Sequence, residues 1–507
     1  MNWGKSGSDP DLHRGGIMTI LFTDLGRTVG SARAAQVCRS GFSRERFVWH
    51  VHSRLKPLLQ GILVLGMLFP IIGNAQTAPA AREAPASRDA LFGDAPSESQ
   101  DAKLSGFYEF TPAYTYGDPK HWSRAANRLA VDARGDLGSG VKWKLGARVD
   151  VDPVYMGSNF YLQDVKENQR VTAIWRENYL DFDAGGWDFR VGAQNIVWGD
   201  VVGLFFADVV SARDLRDFLL PSFDVIRIPQ WAARAEYSTG DSHVELVWVP
   251  VQAFDNIGKP GSDFYPAPLP SPTPSNVAAV FQNPDRPSSS LGNSAYGFRA
   301  NTLVGGWDIA GFYYRSFSSS PTFYRELTGV ASQPLTYQPR YDRIWQAGAT
   351  FSKDFGSMVL HGEAVYASGQ NYGTLDSAPP NGVVSRSTVD WIASLDVPLS
   401  EIEGRTNFQV FQRIYLDGGD DAVALKSGSL GVSAFVSAKF GGVWEPQLLW
   451  IQTFGGGGGL VRPRLNWTPV TNTSLSAGVD IFTGSSDGYF GRYRNRDRVY
   501  VEVRYAF

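Results

Sequence analysis

The sequence predicts an all-β fold: a transmembrane antiparallel β-barrel of about 18 strands, with short periplasmic turns and long external loops. Three observations carry that expectation. Segments alternating apolar and polar residues with period two recur from residue 104 to residue 507. Each is close to the nine to eleven residues, roughly, that a tilted membrane strand requires. The connections between them alternate between short and long, as turns and loops at the two ends of such a barrel do. Composition agrees: charged residues make up only 19%, with 54 Gly and 15 Trp, and mean hydropathy is slightly negative. A polar lumen cancels a lipid-facing band in that way.

The N-terminal elements come first in order. From Leu58 to Ile72 the chain is almost wholly apolar, behind Arg54 and Lys56 and ahead of Gly73-Asn74-Ala75. A basic flank, a short apolar core and small residues before a break indicate a signal peptide at 54–75, cleaved after Ala75. Residues 1–53 then read as an overextended leader, with Val48 or Val51 as alternative starts, and the mature chain begins near Gln76. Without residues 1–75 the chain keeps 38 basic and 46 acidic residues, a net charge near −8, and loses its single cysteine, Cys38. That leaves no disulfide or thiolate chemistry, and a mildly acidic chain is a poor match for nucleic acid. Residues 76–103, rich in Ala, Pro, Ser, Asp and Glu, read as a flexible periplasmic lead-in.

The barrel occupies 104–507. Strands are expected near 104–116, 125–136, 140–151, 171–183, 186–196, 230–238, 242–250, 294–304 and 306–316. Nine more are expected near 341–353, 356–368, 386–397, 405–416, 427–440, 442–454, 460–468, 473–483 and 497–507. An even number puts both ends of the barrel in the periplasm. Alternation sorts the side chains: Trp143, Leu145 and Val149 face lipid while Lys142, Lys144, Arg148 and Asp150 face water. By the same rule Arg190, Arg462, Arg464, Glu502 and Arg504 line the lumen, since a charge facing lipid would cost about 2–4 kcal/mol at mid-depth. The segment 171–183 fits poorly, because Arg176 and Glu177 are adjacent and one of them must face the wrong way. Trp143, Trp187, Trp231, Trp307, Trp391 and Trp467 are expected at strand ends, where aromatic girdles sit. The last strand has Val499, Val501, Val503, Tyr505 and Phe507 on one face. Its aromatic end, Tyr505 and Phe507, resembles the signal by which bacterial outer-membrane barrels are recognised for assembly.

Connection 197–229 is the third external loop, and it is unusually apolar for one: Val201, Val202, Leu204, Phe205, Phe206, Leu219, Leu220 and Phe223. Apolar groups need burial, and the nearest burial is inside the barrel, where the loop would narrow the pore, the alternative being a lid on the barrel rim or a trimer contact. Ser211 as cap, Asp214 three residues on, a face of Leu215, Phe218 and Leu219, and Pro221 as stop predict a helix within it. Asp208, Arg213, Asp214, Arg216, Asp217, Phe218 and Arg227 are the candidate constriction residues. Asp208, Asp214, Asp217 and Asp224 against Arg213, Arg216 and Arg227 give near balance, hence weak ion selectivity.

A family resemblance rests on this region. Arg176-Glu-Asn-Tyr-Leu-Asp-Phe, Trp187-Asp-Phe-Arg-Val-Gly, Val197-Trp-Gly-Asp, Asp208-Val-Val, Arg213-Asp-Leu-Arg and Arg227-Ile-Pro-Gln-Trp231 carry it. Over 171–235 the chain resembles a proteobacterial family of uncharacterised outer-membrane barrels, a domain of unknown function placed beside porins. The resemblance implies a porin-like channel in the cell outer membrane and no particular solute. Its partners would be outer-membrane lipids and lipopolysaccharide, the outer-membrane assembly machinery and a small-molecule solute, with a homotrimer left open. Polysaccharide-export barrels also reach eighteen strands, but no dense Arg/Lys channel signature favours them here.

Other chemistry finds little support. His121, His243 and His361 lack metal-site spacing, so no metal or other cofactor is expected. His361 with Glu363 on one strand face is the nearest approach to a membrane-embedded lipase. The run Gly455–Gly459 lacks the following Lys-Ser/Thr of a phosphate cradle. Asp417-Gly-Gly-Asp-Asp421 reads as a solvated loop and the proline-rich 260–274 as a stiff one. A plug-bearing receptor would need over a hundred residues ahead of the first strand. The expectation is a passive channel for small, amphipathic or apolar solutes rather than an enzyme, the alternative being a lipid-modifying, structural or adhesion barrel.

Overall fold

The computed structural model describes residues 102–201, 204, 206–267, 279–326, 335–374, 380–417 and 430–507. The expected leader, signal peptide and almost all of the lead-in lie outside the described residues, as do Val202, Phe205 and most of the acidic run 417–421.

Eighteen strands form one closed sheet. The first nine are β1 (Lys103–Thr115), β2 (His121–Asp136), β3 (Lys142–Val151), β4 (Val171–Ala184), β5 (Trp187–Gln194), β6 (Gln230–Thr239), β7 (Ser242–Val251), β8 (Ala295–Val304) and β9 (Trp307–Phe317). Then come β10 (Arg343–Asp354), β11 (Val359–Gly373), β12 (Val383–Leu399), β13 (Gly404–Tyr415), β14 (Leu430–Ser437), β15 (Trp444–Thr453), β16 (Gly458–Val470), β17 (Thr473–Thr483) and β18 (Arg498–Ala506). Every strand pairs antiparallel with the next, and β18 returns to β1 from Phe107↔Ala506 to Thr115↔Arg498. Lipid demands this closure, because an open edge would leave amides without partners.

Side chains sort as period two requires. On β3, Leu145 and Val149 are exposed while Arg148 and Asp150 are buried; on β18, Val501 and Tyr505 are exposed while Arg498 and Tyr500 are buried. The apolar side chains therefore form an outer band, and the charges turn inward.

The awkward pair on β4 has a simple resolution. Leu145 opposes Asn178, but Ala147 opposes Trp175, so Arg176 and Glu177 together face Gly146 across a β-bulge. The extra residue lets both charges point into the lumen. Glycine makes room there, since a Cβ on Gly146 would come within 3.2 Å of Arg176 Cβ.

Of the tryptophans expected at strand ends, one lies elsewhere. Trp391 lies in mid-strand on β12 rather than at an end, and its indole N–H donates to Gln412 Oε1 at 3.2 Å. Trp467, near the end of β16, stacks on Trp444 at 5.2 Å. Two long connections also contribute a small second sheet, Ala279–Phe281 and Thr322–Glu326 flanking Leu335–Arg340. Its edge strands are three and five residues long, too short for periodicity to reveal. No helix among the described residues is long and apolar enough to cross a membrane.

Candidate functional site

Connection 195–229 joins β5 to β6, and its contacts define the site. Its first part docks on one arc of the wall. Ile196 and Trp198 are fully buried against Val247 and Val249 of β7, Ala295 of β8, Phe312 and Tyr314 of β9 and Val365 of β11. Trp198 Nε1 donates to Glu245 Oε2 at 3.1 Å. Glu363 of β11 accepts the amides of Asp200, Val201 and Ala207 at 2.6, 2.7 and 2.8 Å. Three amides on one buried carboxylate are charge-assisted bonds, and they fix the backbone at Asp200, Val201 and Ala207. Phe206 reaches Phe411 of β13, with ring centroids 5.8 Å apart.

The second part docks on the other arc. Arg216 donates to Thr172 Oγ1 of β4 at 2.9 Å and forms a two-pronged pair with Asp214 at 2.7–2.8 Å. Arg148 of β3 donates to Val225 O at 2.7 Å, and Arg462 of β16 to Leu220 O at 2.9 Å. Asp217 pairs with Arg124 of β2 and, at 3.5 Å, with Arg498 of β18. Arg504 of β18 approaches Asp224 at 3.4 Å, and Arg176 of β4 donates to Arg227 O at 2.6 Å. Strands β4 and β13 stand half a circuit apart in a ring of eighteen. One segment touching both crosses the interior of the ring.

The helix expected over 211–220 does not form. Ala212–Arg213 instead pairs with Arg227–Ile228, turns follow, and the helical stretch is Phe223–Ile226. Tertiary bonds take the groups the helix needed. Ser211 Oγ donates to Ile196 O, the Arg213 amide to Asp255 Oδ1 and the Leu215 amide to Asn256 O. Phe218 adopts a left-handed φ of 56°, which no helix interior accommodates. That turn drives its ring into a cluster with Phe264, Phe482, Tyr489, Phe490 and Tyr493, centroids 5.1–6.4 Å away.

Asp208 pairs with Arg227 at 3.1 Å, and Arg213 donates to Asp208 O at 2.9 Å. On the wall, Lys144 pairs with Glu177, Arg190 with Asp181, Arg464 with Glu502 and Arg462 with Asp480, at 2.6–2.7 Å. Arg504 reaches Glu109 at 3.5 Å. Lys142 is exposed near the 137–141 turn. Arg148 was expected to meet lumen water, but only 2% of its side chain is accessible, because the crossing segment covers it. Asp200 also belongs to this segment and lies 3.7 Å from Arg299. The segment's charge is therefore more acidic than the balance drawn without it.

Period two alone could have found several partners it did not single out: Arg124 and Arg128 on β2, Glu109 on β1 and Asp480 on β17. Nothing local marks Glu363 as the anchor for a segment about 160 residues earlier. Its strand-face neighbour His361 instead meets Asp396 at 3.1 Å. Among the described residues no group of His, Cys, Asp or Glu is placed to hold a metal ion.

Acid should loosen this crossing. Burial alone would raise the Asp214 carboxyl, but its bonds to Arg216 and the charges of Arg216 and Arg148 hold it below the usual carboxylate range. Its stabilising contribution is fully present above the unfolded value of about 3.9 and is lost as pH falls through the lowered folded value. Single-channel recordings should be steady from pH 7 to about 4 and become noisier below, as the segment works free. Noise that stays unchanged down to the pH at which the barrel loses its heat-modifiable mobility would show that the Asp214 pairs do not hold the segment.

Comparisons with known proteins give one family and several solved structures of low similarity. The family described as "Protein of unknown function (DUF1302)" matches residues 99–507. Among curated proteins none matches the chain. Among solved structures the chain is similar to Salmonella typhi OmpF in complex with daunomycin, at 10% identity and a TM-score of 0.41, covering 80% of this chain and 97% of that one. A loop-deletion mutant of the Vibrio cholerae outer-membrane protein OmpT gives 8% identity, a TM-score of 0.39 and coverage of 80% and 99%. A triple mutant of the Rhodopseudomonas blastica porin gives 13% identity, a TM-score of 0.37 and coverage of 80% and 100%.

Proposed function

Because the chain belongs to the DUF1302 family of porin-like outer-membrane β-barrels, we propose that it is a passive channel whose bore is narrowed by segment 195–229. The observation that carries this reading is the reach of that segment from Thr172 of β4 to Phe411 of β13. A crossing segment divides the lumen, and the remaining path sets which solutes pass. The alternation of two-residue connections, such as 185–186 and 305–306, with long ones, such as 252–294 and 318–342, supports periplasmic turns and external loops.

The lining supports small amphipathic solutes. The cationic and anionic groups of the crossing are largely paired with one another, so no strong field of one sign spans it. Leu204, Leu219, Phe411 and Leu449 are only partly buried at the edge of the apolar cluster around Phe218. They offer an apolar flank beside the polar wall, which suits a solute with both characters. The test is swelling of proteoliposomes in isotonic solute. Small amphipathic solutes should enter faster than sugars of equal size; equal rates, or faster entry of charged sugars, would contradict the reading.

A further inference from the structure

The outer wall carries a feature that neither closure nor the channel explains. Rings on four adjacent strands form a row: Phe298 stacks on Tyr313 at 6.2 Å, Tyr313 stacks on Trp345 at 6.0 Å, and Trp345 meets Tyr366 at a tilt, 5.0 Å away. All four belong to the outward set, since their neighbours Phe312, Tyr314, Ile344 and Val365 are buried. Arg315 and Arg343 lie just above the row, toward the long connection 318–342. Arg315 pairs across the sheet with Trp345 and Arg343 with Phe317, which makes the two arginines diagonal neighbours on the same outward face.

These cations differ from the arginines of the lumen. Arg128, Arg148, Arg216, Arg462 and Arg498 each meet carboxylates. Among the described residues Arg315 and Arg343 form no ion pair. Arg315 is exposed and donates to Tyr296 Oη at 3.3 Å. Arg343 lies over the Phe317 ring at 4.1 Å and donates to Gly292 O, Ser294 O and Asn293 Oδ1. A guanidinium carries five N–H donors, so both keep donors to spare. An outward charge in lipid is costly unless something anionic meets it. At this end of the barrel the surrounding medium is the external leaflet.

We propose that Arg315 and Arg343, with the ring row below them, bind one phosphate-bearing lipid of the external leaflet. The phosphate would take the two guanidinium groups, which suit it through paired N–H donors, and the acyl chains would lie along Phe298, Tyr313, Trp345 and Tyr366. The proposal rests on the reading that the long connections are external.

Native mass spectrometry of the full barrel in mild detergent, titrated with diphosphorylated lipid A, tests it without any current. Failure here is therefore separate from failure of the channel reading. The wild type should retain one lipid A, and R315Q/R343Q should lose about tenfold in retention while keeping heat-modifiable mobility, as expected for losing about 1.4 kcal/mol. Inorganic phosphate should not displace the lipid, because it lacks chains for the ring row. Equal retention by the folded variant overturns the proposal. So does displacement by free phosphate, which would mark an anion site without lipid, or loss of an oligomer in the variant, which would mark a subunit contact.

Discussion

Deleting Phe507 should abolish most assembled barrel while leaving the pore of any surviving molecules unchanged. The closing seam ends on this residue: its amide donates to Gly106 O at 2.9 Å and its carbonyl accepts from the Gly106 amide at 2.8 Å. Its ring lies directly over Gly106, where a Cβ would come within 2.8 Å of Phe507 Cζ. Glycine at 106 thus lets the final aromatic cover the seam from the lipid side, beside Tyr505 with ring centroids 6.4 Å apart. Deletion removes both hydrogen bonds and exposes the amide edge of β1 to lipid, where unpaired groups cost several kcal/mol each, roughly. Phe507→Ser keeps the backbone but removes the cover, and it should be milder. Heat-modifiable gel mobility of outer-membrane extracts should fall about tenfold or more for the deletion, equivalent to ~1.4 kcal/mol or more at the seam. Full yield of folded, truncated barrel would show that neither the seam nor an assembly signal depends on Phe507.

Removing residues 204–224 should open the bore. The deletion takes away Asp208, Asp214, Asp217 and Asp224 against Arg213 and Arg216, together with Phe218, the centre of the ring cluster. It also uncovers Arg124, Arg148, Arg462 and Arg498, which now meet that segment. Two effects follow. Conductance should rise about twofold or more, as a wider constriction passes more ions, and selectivity should move toward anions as Arg124 and Arg498 lose Asp217 and Arg148 loses Asp214. The second effect goes beyond a simple plug, since an electrically neutral plug would widen the pore without changing its preference. Breaking buried pairs can destabilise by about 3–5 kcal/mol, so heat-modifiable mobility of the variant must accompany the recording. Unchanged conductance in a folded variant would place the restriction elsewhere.

The barrel was legible because its signal is local. Each strand announces itself by period two, and inward charge with outward apolar residues fixes its face; β3 and β18 follow that rule at every position that matters. The legible part ended where one residue count changed. Arg176 and Glu177 broke the pattern, and only the register across from Gly146 resolves them. In the crossing segment the apolar content led to Leu220, which is buried, while Val201, Leu204, Phe206, Leu219 and Phe223 stay only partly covered, and the local helix signals misled. Ser211, Arg213 and Leu215 had tertiary partners, Ile196, Asp255 and Asn256, that outcompete an isolated turn of helix. The grip of Glu363 on Asp200, Val201 and Ala207 was hidden because it joins residues distant in sequence. A carboxylate serving backbone amides leaves no motif.

The central claim is that this barrel conducts through a lumen crossed by residues 195–229. Single-channel recording of the purified, folded full-length barrel in a planar bilayer tests it most directly. Discrete current steps that scale with salt concentration, and that grow when 204–224 are removed, are the predicted result. A folded barrel that gives no steps with or without the segment would contradict it.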